Sequence, residues 1–106
     1  MLARAGSREQ RIALLIDRVF GFYEMTGPMV EMMRQDAAVL PVLAAAVETL
    51  DAGIDAWVAT ALPDESADVR RTVRALLDHR TWTALTETGM RDVRGIARRL
   101  IDATVR

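Results

Sequence analysis

Apolar residues recur at helical spacing along nearly the whole chain. Ser7 supplies a helix N-cap, and Gln10 three residues on is its partner in a capping box. From there Ile12, Leu15, Ile16, Val19, Phe22 and Tyr23 fall on one face, with Asp17, Arg18 and Glu24 on the other. Thr26-Gly27-Pro28 then predicts a kink or break, because proline disfavours helical geometry in the residue before it. If the helix resumes at Pro28, Met25, Met29, Met32 and Met33 share a face.

A short connection containing Asp36 leads to Pro41, which suits a first helical turn. Leu43, Val47, Leu50, Ile54, Trp57, Val58 and Ala61 make the stripe of the following helix, whose reverse side carries Ala45, Ala52, Ala56 and Ala59. Pro63 ends it, and Asp64 is positioned to cap a helix over 65–88 that stops at Gly89. A last helix over 91–105 shows Val93, Ile96, Ala97, Leu100, Ile101 and Thr104 in a narrow stripe, and Arg91, Arg94, Arg98, Arg99 and Asp102 on the rest.

The pattern therefore predicts an all-α bundle of five helices over 7–106, preceded by a loose tail at 1–6, with no strand, repeat or long linker. At about 100° per residue, the 65–88 helix carries two stripes. Val69, Val73, Leu76 and Leu77 form one, with Arg80 in its middle; Ala75, Trp82 and Leu85 lie on nearly the opposite side. A helix apolar on two flanks needs a partner on each. Its own domain is one, and a second copy of the chain is the expected other. The final two helices, joined by a short connection, favour a hairpin, and two hairpins favour a dimeric four-helix bundle.

Composition agrees with a folded single domain: 106 residues, 51% hydrophobic and 27% charged. A net charge of −1 provides no global attraction to nucleic acid or anionic membrane. The absence of cysteine removes disulfides and thiolate sites, and the N-terminal MLARAGSREQR lacks the apolar segment of an export signal, so a cytoplasmic location is expected.

Catalytic signatures are absent. One histidine, His79, cannot build a histidine metal cluster, and there is no phosphate loop or nucleophile elbow. No metal, no cofactor and no enzymatic activity are expected; an enzyme would need scattered acids such as Glu24, Asp36 and Glu48 to converge on a metal. His79 is read either as a contact to a bound effector or a proton-sensitive switch, or as a partly buried histidine bonded to a neighbouring carbonyl. Trp57 and Trp82 serve either the core or dimer seam or a pocket wall, Tyr23 a pocket hydroxyl or a structural hydrogen bond, and the methionine face either core filling or an adaptable ligand lining.

Leu76-Leu77-Asp78-His79-Arg80-Thr81-Trp82-x-x-Leu85, followed by Gly89-Met90, resembles the penultimate helix of the effector-binding and dimerisation domain of tetracycline-repressor-type (TetR-family) regulators. Val19-Phe20-Gly21-Phe22-Tyr23-Glu24-Met25-Thr26-Gly27-Pro28-Met29, then Arg34-Gln35-Asp36-Ala37, is similar to an earlier helix-and-kink segment of such domains. The resemblance implies a homodimer joined through the last two helices, with Val69, Val73, Leu76, Leu77, Arg80, Val93, Ile96, Leu100, Ile101 and Thr104 at the seam. It also implies a small apolar effector in a cavity lined by Phe20, Tyr23, Met29, Met33, Leu43, Trp57, His79 and Trp82. Only six residues precede the first helix cap, too few for a recognition helix, and the cluster Arg4, Arg8 and Arg11 reads as a solvated helix start. Direct nucleic-acid binding and membrane association are not expected. The rival expectation is an interaction module that pairs with itself or with a full-length regulator and binds no ligand.

Overall fold

One helix spans the longest dimension of the molecule. In the computed structural model, which describes residues 6–106, α1 runs unbroken over Arg8–Asp36. Its 29 residues make a rod of about 43 Å, matching the longest molecular extent of 41 Å. The capping box forms as expected: Ser7 Oγ accepts from the Gln10 amide at 3.1 Å, and the Gln10 side chain accepts from the Ser7 amide at 3.1 Å. The expected tail at 1–6 lies almost wholly outside the described residues, as does Arg4.

Of the kink or break expected at Thr26-Gly27-Pro28, the break does not occur: the helix continues through Pro28. The buried positions Ile12, Leu15, Ile16, Val19, Phe20, Tyr23, Gly27 and Val30 keep helical spacing straight through it. Burial of that face outweighs the one backbone bond that Pro28 cannot donate. Gly27 is retained by packing, since a Cβ there would sit 3.1 Å from Trp82 Cζ3. Pro28 lies on the exposed side.

Helix α2, Pro41–Ala61, begins with proline at its first turn and buries only its C-terminal half, through Ile54, Val58 and Ala61. Its last turn holds no basic residue of its own. Arginines from elsewhere serve that end: Arg11 Nε donates to the Ala61 carbonyl at 2.9 Å, and Arg70 Nε to the Leu62 carbonyl at 2.9 Å. Cations there bond free carbonyls and complement the helix dipole. Arg8 similarly bonds the Val105 carbonyl at 3.3 Å and Glu65 at 3.2 Å. Arg8 and Arg11 are thus clamps between helix ends, not a solvated cluster.

The single helix expected over 65–88 is two helices. Helix α3 covers Ala67–Leu76 and is capped by Ser66, not by Asp64; α4 covers His79–Glu87 and is capped by Asp78, whose carboxylate accepts from the Arg80 amide at 3.1 Å. Gly89 follows α4 with φ +77°, the left-handed conformation that glycine adopts without strain. Helix α5, Val93–Val105, is capped by Asp92 and packs on α1, α3 and α4.

These changes overturn the two-faced helix. The stripe Val69, Val73, Leu76 belongs to α3 and faces its own subunit; of the other stripe, Trp82 and Leu85 belong to α4, whereas Ala75 is exposed on α3. Val73, Leu77 and Ile101 are wholly buried inside one chain and have no surface left for a twin. Val69, Leu76 and Val93 pack partly on the same core, and Ile96 and Thr104 are half-buried. Leu100 is 43% exposed, and Arg80 is exposed on α4, where it needs no buried counter-ion. The five helices assemble around one core drawn from α1, α2, α3 and α5, with no strand among the described residues. None of these helices is long and apolar enough to cross a membrane.

Candidate functional site

The break between α3 and α4 turns one residue into the centre of an aromatic group. Tyr23, fully buried on α1, lies 6.2 Å between ring centroids from Phe20, 5.2 Å edge-on from His79 and 5.8 Å from Trp82. Such tilted and edge-on pairs match the ring quadrupoles. The Tyr23 hydroxyl donates to the Leu77 carbonyl at 2.7 Å, at the point where α3 ends. Burial pushes the hydroxyl pKa up to about 12.

Beside this group a cleft of about 380 Å³ opens between the C-terminal half of α1 and one side of α4. Its α1 wall is Glu31, Arg34 and Gln35. Its α4 wall is His79, Arg80, Thr83, Ala84 and Glu87, which recur about one turn apart. Three buried side-chain atoms among the described residues lack a hydrogen-bond partner: Arg34 Nε, His79 Nε2 and Thr83 Oγ1. All three belong to residues lining this cleft. Buried polar groups are almost always paired, and each that is not costs about 1–3 kcal/mol.

The three differ in what they offer. Arg34 Nε carries a donor only. Its terminal nitrogens are engaged with Asp51 at 2.7 and 3.4 Å, a hydrogen-bonded pair that raises the guanidinium pKa further. His79 is 4% exposed, and its Nε2 donates or accepts according to protonation and tautomer, as the Thr83 hydroxyl does by rotation. Arg80 adds a cation at the rim; Glu31 and Glu87 add carboxylates. The residues that carry these three atoms all line the cleft, while the atoms themselves are closed to solvent behind its walls.

Behind it stands an ion-pair network that fixes the walls. Arg74 bonds Asp51 and Asp55 of α2 at 3.0 Å each, and Asp78 at the head of α4 at 3.4 Å. Asp51 thereby ties Arg34 to Arg74 and links α1, α2, α3 and α4.

Of the eight residues expected to line an apolar cavity, His79 alone lines this cleft. Phe20 and Tyr23 are solid core, and Trp57 and Trp82 pack against that core from its edge. Met33 and Leu43 are half-buried, and Met29 is on the surface. Arg34 and Thr83 are not among the residues that the sequence points to as lining, because their approach depends on the break at Leu77-Asp78. Glu24, one of the three scattered acids, is held by Arg94 on the surface, and among the described residues no group of three His, Cys, Asp or Glu side chains is arranged to hold a metal. Comparison with protein-family models, curated proteins and solved structures finds no match to the chain.

Proposed function

We propose that the chain is a ligand-sensing helical domain, of the kind that the resemblance to TetR-type effector domains implies, and that its ligand is small and polar and occupies the α1/α4 cleft. The observation that carries this reading is that Arg34, His79 and Thr83, each with a buried side-chain atom lacking a hydrogen-bond partner, line one and the same cleft. Preformed sites place a few unpaired polar groups on a rigid wall, and those groups lower the stability of the free protein. An apolar effector draws less support, since the aromatic residues are packed on one another.

The reporter is built in. Trp82 lies 5.7 Å from His79 between ring centroids, so an occupant of the cleft perturbs indole fluorescence. Screening small carboxylates, amino acids and hydroxylated compounds against tryptophan emission, with hydrophobic compounds as the contrast, is expected to yield saturable binding in the polar set alone. Thr83→Val and His79→Phe are expected to abolish that response while retaining helicity. If neither set binds and both variants only raise the melting temperature, the cleft is a hydrated surface feature and the reading fails.

A further inference from the structure

The outer face of α1 carries a self-complementary stripe. Met25, Met29 and Met32 are 86%, 51% and 55% exposed, and the half-buried Phe22 continues the same line. Arg18 and Asp36 end it. The spacing from Arg18 through Phe22, Met25, Met29 and Met32 to Asp36 alternates four and three residues, the heptad pattern of a helix that packs lengthwise on another. Among the described residues the three methionines stand exposed, while Phe22 packs partly against the subunit's own core.

Its order is symmetric. Arg18 and Asp36, Phe22 and Met32, and Met25 and Met29 are each equidistant in sequence from residue 27. A two-fold axis beside Gly27 therefore sets Met25 against the partner's Met29, Phe22 against the partner's Met32, and Arg18 against the partner's Asp36. Neither Arg18 nor Asp36 takes part in an ion pair of the subunit among the described residues. Asp36 is also the last residue of α1, where a carboxylate opposes the helix dipole and benefits from an external cation. The stripe is about 27 Å long; Val39 and Leu40 in the turn beyond it and Val42 at the start of α2 are exposed as well.

We infer that α1 is the homodimer interface: two copies pack their outer α1 faces antiparallel about a two-fold axis near residue 27, with an apolar Phe22/Met25/Met29/Met32 seam closed at each end by an Arg18–Asp36 ion pair. This interface uses neither α3 nor α5. It also lies on the opposite side of α1 from Glu31 and Arg34, the charged residues of the cleft's α1 wall. Unbranched methionines suit a seam that must accommodate its own image, and an isologous contact explains why each end carries the charge opposite to the other.

The test is sedimentation equilibrium of the full chain with far-UV circular dichroism as the control for folding. The unaltered chain is expected to be dimeric, and M25E/M29E monomeric with unchanged helicity. R18D and D36R are each expected to weaken the dimer about tenfold. An equimolar mixture of R18D and D36R is expected to form mixed dimers, because each of their two ends then pairs an acid with an arginine; the R18D/D36R double variant recovers self-association for the same reason. A chain that stays monomeric at every concentration overturns the interface, as does a dimer that survives M25E/M29E or in which mixing the two charge variants restores nothing.

Discussion

The hydroxyl of Tyr23 donates to the carbonyl of Leu77 at 2.7 Å, and this bond joins the middle of the longest helix to the place where the α3/α4 segment breaks. Leu77 ends α3, so its carbonyl lacks a regular helical partner, and it is buried where water cannot supply one. Tyr23→Phe keeps the ring and removes the donor. The expected cost is about 1–3 kcal/mol, read as a lower urea midpoint at unchanged slope.

The same hydroxyl makes stability depend on alkaline pH. Its folded pKa is about 12 against an ordinary value of 10.0, so the folded chain holds the proton after the unfolded chain has released it. The stabilisation is complete below pH 10 and declines between about pH 10 and 12. The signal is clean, because the sequence contains one tyrosine, no cysteine and no lysine. Absorbance near the tyrosinate band is expected to rise only as the fold is lost, and Tyr23→Phe is expected to flatten the alkaline decline. A tyrosine that titrates near 10 in the intact fold would contradict the buried hydrogen bond.

Two arginines with similar numbers of acidic partners are expected to differ in worth. Arg74 is 17% exposed and holds Asp51, Asp55 and Asp78. Arg94 is 39% exposed and holds Asp17 at 2.5 Å and Glu24 at 2.9 Å, an arrangement that raises its pKa chiefly through the Glu24 hydrogen bond. Arg74→Met leaves Asp55 and Asp78 without their cation and Asp51 with Arg34 alone, and is expected to cost about 2 kcal/mol or more. Arg94→Met is expected to cost about 0.2–1 kcal/mol and to become nearly silent in high salt. Equal losses, or a salt-insensitive Arg94, would show that exposure does not govern the ranking.

Helix ends were the most legible part of the chain. Ser7 with Gln10, Pro41 and Gly89 act where their chemistry places them, since each effect is decided within four residues. The interior boundaries were not. Gly27-Pro28 reads locally as a stop, but the buried line from Tyr23 to Val30 carries the helix across. Leu77-Asp78 reads locally as helix, containing neither glycine nor proline; the stop is set by Asp78 as a cap and Tyr23 as a remote donor. Those two boundaries also decided the candidate site. His79 was legible as a lone histidine beside tryptophan, whereas Arg34 and Thr83 acquire meaning only when α4 is a separate helix set against the far half of α1.

Pro28 offers a test of that account of α1. Within a helix a proline removes one backbone bond, here to the Glu24 carbonyl, and crowds the preceding turn. Nothing at the exposed position 28 compensates directly; the compensation comes from Gly27 beneath Trp82 and from Val30 in the core. Pro28→Ala restores the missing donor without touching either contact, so it is expected to stabilise the chain by about 1–3 kcal/mol. Gly27→Ala differs in kind. Alanine is favoured over glycine in a helix by about 1 kcal/mol, but its methyl group meets Trp82 at 3.1 and 3.3 Å and approaches His79 Nε2 at 3.7 Å. The indole must move, and its fluorescence with it. Thermal melts and emission spectra of both variants check the argument: a stabilised Pro28→Ala with native emission, beside a Gly27→Ala with shifted emission and no gain in stability, is the expected pair. A destabilised Pro28→Ala would mean that the chain needs a bend there after all.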